Sequence, residues 1–389
     1  MSNAPNRLQM RREPDAAADL KSATGIVEIQ LDAIARNWCR LAARVAPAEC
    51  AAVVKADAYG LGAAHVVPAL AAAGCTSFFI ATPDEAATVR ALVPLARIFA
   101  LDGLPGNVAE DFAALDVIPV LSTVDDLNRW ASLARQRNVR LPAALHIDTG
   151  LNRLGLSAGD TRRIAADPRD AGVLAIQLVM SHLASADNPR SPKNRDQLLA
   201  FETLTALFRG VPRSLAASDG LLLGPAYYFD LVRPGYALYG GQASQTHPAP
   251  VEPAVSVKAR ILAVQDVLPG ETVGYSATWR AARPTRIATV AAGYADGMPR
   301  NASAASGQTG GSVIIADQKA PIVGRVSMDL ITVDVTDMAP ESVMPGAFAT
   351  LIGDGISLED AGQSAATIGY EILTRIGPRF ARRYHGGGN

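Results

Sequence analysis

What the chain lacks narrows it before any motif is read. Its three cysteines, Cys39, Cys50 and Cys75, are too few and too unpatterned for a disulfide framework or a zinc knuckle, and they fit a reducing compartment. The five histidines (His65, His146, His182, His247 and His385) show no His-x-x-x-His pairing, so no metal site is expected. A formal net charge of -1 provides no basic field for nucleic acid or an anionic membrane. No apolar run reaches membrane-spanning length, and the first two dozen residues, with Arg11, Arg12, Glu13, Asp15 and Asp19, lack the apolar middle of a signal peptide. They read as a loose polar arm of a cytoplasmic protein.

What is present is an alanine-rich globular composition, 49% hydrophobic and 19% charged, over 389 residues, enough for two domains each with its own core. Short apolar strands alternate with helix-like segments through the first two thirds. One ends at Val54, and others are expected at 76–81, 97–101, 117–121, 143–147, 174–181, 214–218 and 231–233. About eight β/α units close a barrel, so a (β/α)8 fold is expected for roughly 33–250, with a doubly wound sheet as the alternative. The stretch 241–250 has linker composition. Beyond it strands are expected at 255–264, 285–291, 312–316, 321–335 and 347–352, and a helix only at 364–375, which makes a second, mostly β domain. The division is therefore an arm at 1–25, a barrel at 26–252 and a β domain at 253–389. Gly386, Gly387 and Gly388 read as a disordered tail.

The most informative stretch is Val53-Val54-Lys55-Ala56-Asp57-Ala58-Tyr59-Gly60. A lysine where a buried strand gives way to a glycine-containing turn stands at the mouth of an α/β fold, where ligands bind. Taken alone it is a solvated cation closing a strand, or a partly desolvated amine able to form a Schiff base. The same barrel reading puts Arg153, His182, Ser218 and Arg233 at or just after other strand ends.

The Lys55 string resembles the pyridoxal-phosphate lysine motif of the alanine racemase family, and the likeness extends over roughly residues 26–384. His146-Ile147-Asp148-Thr149-Gly150-Leu151-Asn152-Arg153-Leu154-Gly155 is similar to the family's Asp-Thr-Gly…Arg-Leu-Gly loop. Arg233-Pro234-Gly235-Tyr236, Gly274-Tyr275-Ser276, Gly293-Tyr294-Ala295-Asp296-Gly297, Arg325-Val326-Ser327-Met328-Asp329 and Gly369-Tyr370-Glu371 match further signatures. The resemblance implies a cytoplasmic homodimeric isomerase with shared active sites, making D-alanine for peptidoglycan or consuming it. Lys55 would carry pyridoxal 5'-phosphate. Tyr59, Ser218, Tyr370 and the backbone near Gly235 and Tyr236 would hold its phosphate, and Arg233 would face its ring nitrogen. Arg153 and the Met328 N–H would bind the substrate carboxylate, with Tyr294 lining the entrance. Lys55 and Tyr275 of the second subunit would be the two bases, and His182 would support the tyrosine with Arg233 behind it.

At one position the chain departs from the pattern. Many members carry a carbamylated lysine where His146 stands, so something else must position Arg153, His146 itself or a bound anion. The competing readings are a pyridoxal-phosphate amino-acid decarboxylase of the same layout, a racemase of broader range, and a barrel-only carrier of the cofactor. A decarboxylase would place a carboxylate on the ring nitrogen and a cysteine opposite the lysine, where this chain offers Arg233 and Tyr275. A carrier has no use for the β domain.

Overall fold

The computed structural model describes residues 22–387 apart from 168, 170, 243 and 245–247. Most of the expected arm, part of the 241–250 linker, His247 and Gly388 therefore lie outside the described residues. The chain divides into two compact units that alternate along the sequence. One contains Gln30–Val255 and Ser357–Arg375, and the other runs up to Ile29 and resumes at Ser256–Ile356 and Ile376–Arg383. Among the described residues no helix is long and apolar enough to cross a membrane.

In the first unit Ala52–Val53, Ser77–Ile80, Arg97–Ala100, Ile118–Leu121, Leu141–His146, Leu174–Met180 and Arg213–Ser214 form one parallel sheet of seven strands in that order. Leu231–Val232 pairs in parallel with Glu49–Cys50, which leads into the first of these strands. On its other side the Arg233 N–H donates to Ala216 O (3.0 Å) and the Asp230 N–H to Arg213 O (3.0 Å). The ring is closed at eight positions, the seven plus Leu231–Val232. Each strand overlaps the segment expected for it, and the doubly wound alternative falls because an open sheet would leave its two outer strands unpaired. Strands of such a barrel are covered on both faces, so they read as apolar runs; Ser77–Ile80 and Ile118–Leu121 are buried at every position.

Helices Leu31–Val45, Ala63–Ala72, Pro83–Leu92, Ala109–Ala114, Val124–Arg137, Ala158–Ala166 and Pro192–Thr205 alternate with the strands. Their starts are written locally: Thr123 Oγ1 accepts from the Asp126 N–H (3.0 Å), and Ser157 Oγ from the Asp160 N–H (3.0 Å). Asn138, at φ 52°, turns the chain out of Val124–Arg137 in the left-handed conformation its short polar side chain tolerates. Asn37, fully buried on the first helix, donates to Leu238 O (3.1 Å) and Glu252 O (2.9 Å) and accepts from the Glu252 N–H (2.8 Å). It ties the short 3-10 turn Tyr236–Tyr239 to the stretch around Glu252.

The second unit is built on Val255–Val267, whose inner half alternates buried and half-buried residues as one covered face requires. It pairs antiparallel with Thr285–Val290 and with Phe348–Ile352. Several details differ from the sequence reading, among them an unexpected short antiparallel pair, Thr272–Val273 with Trp279–Arg280. The strand expected over 321–335 is two, Gln318–Pro321 and Ile331–Asp334, because Gly324 turns at φ 73° and the Ser327 and Leu330 backbones close a loop between them (3.0 Å). The helix expected at 364–375 is shorter, Gly369–Thr374, and a separate helix that was not anticipated, Leu358–Ser364, started by Ser357 Oγ on the Asp360 N–H (3.0 Å), precedes it; both belong to the barrel unit. The strand Ala381–His385 was not anticipated, and beyond it the Gly387 N–H donates to Asp32 Oδ1 (2.8 Å) rather than trailing free.

Replacing Asn37 by Leu keeps the branched heavy-atom skeleton but no polar atom, and it orphans three backbone groups, one at the buried Leu238 and two at the half-buried Glu252, each costing about 1–3 kcal/mol when cut off from water. Urea unfolding should register a loss of about 3 kcal/mol or more, against under ~1 kcal/mol if Asn37 were merely a buried spacer.

Candidate active site

Lys55 follows directly on the buried Val54, at the end of a barrel strand. The next four residues, Ala56, Asp57, Ala58 and Tyr59, all have φ between 53° and 59°, a left-handed turn built without glycine. Such residues cost about 1–2 kcal/mol each, so the surroundings must hold the turn in place. The Gly62 N–H donates to Asp57 O (3.0 Å) and the Ala63 N–H to Asp57 Oδ1 (2.7 Å). The turn buries Tyr59 with its ring 4.9 Å from that of Tyr239 and 6.4 Å from that of Tyr370.

Around the lysine the barrel mouth is cationic. Arg233, 3% exposed, donates to Ser181 O (2.7 Å), Leu215 O (3.4 Å) and Ser214 Oγ, and lies 5.9 Å from the Phe79 ring centroid. Burial lowers its pKa to about 9, which leaves it charged near neutrality. His182 is held neutral: burial first, then the charges of Arg233, Arg153, His146 and Lys55, push its pKa down to about 3. His146 is likewise depressed to about 4 by burial and Arg233, with Asp148 acting the other way, and its Nδ1 lies 3.3 Å from Ser122 Oγ. Asp148 is occupied with its own loop, where Oδ1 accepts the N–H groups of Gly150 (2.8 Å), Leu151 (3.0 Å) and Asn152 (3.2 Å) and so shapes the segment that presents the exposed Arg153. The structure thus brings Lys55, Arg153, His182 and Arg233 together, with His146 beside them.

A second cluster adjoins the turn. Ser218 Oγ accepts from the Gly235 N–H (3.0 Å) and the Ala237 N–H (3.2 Å), so it caps that loop rather than a helix of its own. A side chain at Gly235 would run into the Tyr59 hydroxyl, which explains the glycine. Tyr236 stacks on Tyr370 at 3.9 Å and donates to Glu359 (2.6 Å), while the Tyr370 hydroxyl donates to Asp219 (3.3 Å). Burial raises the Asp219 pKa to about 6, the Tyr370 bond opposing and Asp187 and Glu359 adding to the rise. Tyr370 arrives from Gly369–Thr374, far along the chain, yet belongs to the barrel unit.

Tyr275, Tyr294 and Met328 belong to the other unit and are exposed there, Tyr275 to 71%. Tyr275 sits on a short turn in which Ser276 is left-handed at φ 62°. The Tyr294 N–H donates to Ser327 O (3.0 Å) and the Ala295 N–H to Met328 O (3.0 Å), which joins these two loops. Arg379, unremarked in the sequence, locks them: it pairs with Asp296 through two bonds (2.7 Å each) and with Asp329 (2.6 Å). A lone arginine far from either loop has no local pattern that could announce this role.

A closed parallel barrel with an amine among arginines and neutral histidines, beside a glycine loop lined by hydroxyls, defines a class of barrel enzymes that bind anionic ligands at the strand ends and carry a separate β unit. Family profiles agree with that architecture: "Alanine racemase, N-terminal domain" matches residues 29–243 and "Alanine racemase, C-terminal domain" matches 254–384. The chain belongs to the alanine racemase family. It is 47% identical over 356 residues to an alanine racemase of Methylobacterium sp. (strain 4-46), covering 92% of this chain and 96% of that one. It is 40% identical to a protein of Agrobacterium fabrum (strain C58 / ATCC 33970) named "Alanine racemase, biosynthetic", over 95% and 96% of the two chains. Among solved structures, alanine racemase from Bartonella henselae with covalently bound pyridoxal phosphate superposes with a TM-score of 0.89 at 39% identity, over 93% of this chain and all of that one.

The electrostatics of the mouth set a pH dependence. His182 and His146 have pKa values near 6.5 when unfolded and about 3 and 4 when folded, so the stability they contribute is complete above pH 6.5 and is lost as pH falls. Asp219, raised from 3.8 to about 6, works in the opposite sense: its share is complete below 3.8 and is lost as pH rises through 6. Through these three groups the unfolded chain binds about one more proton in net between about pH 4.5 and 6, and their contribution to stability should fall by on the order of 1 kcal/mol per pH unit of acidification. Urea melts across that range check the slope, which His182→Asn should lower by about that amount.

Proposed function

We propose that this protein is a pyridoxal 5'-phosphate-dependent alanine racemase, an isomerase interconverting L-alanine and D-alanine. The observation that carries the reading is the convergence of Lys55, Arg153, His182 and Arg233 at one barrel mouth beside the Tyr59, Ser218 and Gly235 cradle. The donor set suits the cofactor. Gly235 leaves space that any side chain would fill, and hydroxyls of Tyr59, Ser218 and Tyr370 with the backbone N–H groups of Gly235 and Tyr236 match a phosphate. Arg233, able only to donate, suits an unprotonated ring nitrogen; Arg153 suits the phenolic oxygen, and Lys55 is the amine for covalent attachment.

When bound, pyridoxal phosphate supplies the electron sink that makes the α-hydrogen of an amino acid acidic enough to leave. Inversion then needs a proton removed from one face and another delivered to the opposite face. Lys55 serves one face. Tyr275, exposed on its left-handed turn and contributed by the second subunit of a homodimer, serves the other. A tyrosine of ordinary pKa near ~10 needs help to act as a base near neutrality, and the neutral His182 imidazole can donate a hydrogen bond to its oxygen without competing for the proton. Arg233, bonded to the carbonyl of Ser181, places its charge behind that imidazole. Arg153 and the Met328 N–H hold the substrate carboxylate, and Tyr294 lines the entrance. In the same reading 26–252 is the cofactor-binding domain, 253–389 delivers Tyr275, residues 1–25 are an arm, and the enzyme works in the cytoplasm supplying or consuming D-alanine.

Purified protein supplied with pyridoxal phosphate should convert L-alanine to a racemic mixture, followed by polarimetry. Borohydride should fix the cofactor onto Lys55, and Lys55→Ala should abolish that adduct; a reduced cofactor mapped to another lysine would overturn the assignment. Lys55→Ala and Tyr275→Phe proteins, each inactive, should regain partial activity after subunit exchange, because one mixed site holds both bases. Absence of recovery despite proven exchange would place Tyr275 outside the chemistry.

A further inference from the structure

The left-handed turn after Lys55 raises a question its own residues do not answer: what keeps four consecutive non-glycine residues, and with them the lysine, in this conformation. Part of the answer lies on another strand-helix junction. Glu85, in the first turn of Pro83–Leu92, spans two segments with its two carboxylate oxygens. Oε1 accepts the N–H of Ala56 at 2.6 Å, and Oε2 accepts the N–H groups of Ala81 (2.7 Å) and Thr82 (3.2 Å). The Ala56 N–H is half of the peptide unit whose carbonyl belongs to Lys55. A bond to it therefore fixes the plane that sets the backbone direction of the lysine, and does so from the end of the adjacent strand Ser77–Ile80.

We propose that Glu85 is a positioning residue for Lys55: its carboxylate clamps the Lys55–Ala56 peptide to the neighbouring strand end and holds the amine where it attaches the cofactor. The inference rests on Lys55 being the attachment lysine. The chemistry needs a carboxylate of this length. Glutamine has one acceptor oxygen and would turn an amide N–H toward one of the two sets of donors, and aspartate is a methylene short. Capping a helix alone would require only the bonds to Ala81 and Thr82; the bond to Ala56 is the surplus that the cap does not explain.

The test compares wild type, Glu85→Ala and Glu85→Gln as cofactor-free proteins at a temperature where circular dichroism shows all of them folded. Pyridoxal phosphate is added, and the rate of covalent attachment is read from the absorption change and from borohydride trapping on Lys55. Glu85→Ala should attach at least tenfold more slowly and Glu85→Gln should fall between. The stability effect is separated by Ala56→Gly, which removes the steric cost of φ 54° at an exposed position. With Glu85 intact that change should leave the attachment rate at the wild-type value, and in the Glu85→Ala background it should raise Tm without restoring the rate. Wild-type attachment by Glu85→Ala, or recovery of rate and Tm together, would reduce Glu85 to a helix cap and overturn the proposal. Wild-type protein that takes up no cofactor on Lys55 would sink the proposed function itself, and this role with it.

Discussion

The site depends first on a cation buried inside the barrel mouth. Arg233 is almost wholly removed from water, and an unpaired charge in that position would be destabilising by several kcal/mol, on the order of 3–5. No carboxylate pairs with it among its described hydrogen bonds; the carbonyls of Ser181 and Leu215 and the Ser214 hydroxyl accept from it instead. Dipoles satisfy the guanidinium without neutralising it, so its field reaches the neighbouring groups. That field, added to burial, keeps His182 and His146 neutral near pH 7. A carboxylate partner for Arg233 would cancel the field and let the imidazoles charge more readily.

Against that fixed charge the rest of the mouth is arranged by backbone geometry. The left-handed run from Ala56 to Tyr59 buries the tyrosine against Tyr239, and Gly235 leaves its hydroxyl room. Holding that run takes bonds from three directions: the turn's own carbonyls, the Asp57 side chain and Glu85. The β unit uses the same device with a different chemistry, where Arg379 binds Asp296 and Asp329 and so ties the Tyr294 and Met328 loops into one rigid edge. Both arrangements restrain a loop through a side chain from distant sequence.

His146 shows how a departure from a family pattern is absorbed. A histidine stands there in place of a lysine, and the loop carrying Arg153 is shaped by Asp148, which accepts three consecutive backbone N–H groups. The neutral imidazole beside Ser122 adds bulk and a hydrogen-bonding group without a second charge.

Periodicity alone determined a great deal here. Runs such as Ser77–Ile80 and Ile118–Leu121 are buried throughout and mostly apolar because both faces of a barrel strand are covered, and eight such runs separated by helices leave few ways to close a sheet. Lys55, Arg153, His182, Ser218 and Arg233 were legible for the same reason: the strand ends of a parallel barrel converge, so position along the chain becomes position in space. The tertiary structure decided what no local pattern encodes. The expected strand at 321–335 breaks because Gly324 turns left-handed, and the helix expected at 364–375 begins only at Gly369, after a left-handed Ala366 at φ 53°. Tyr370 joins the barrel from a segment that follows most of the β unit, Ser218 accepts backbone N–H groups from a stretch seventeen residues away, and Glu85 and Arg379 act on residues their own neighbourhoods never mention. Such contacts depend on which segments the closed barrel and the antiparallel sheet bring side by side, and a single sequence carries that information only through the fold as a whole.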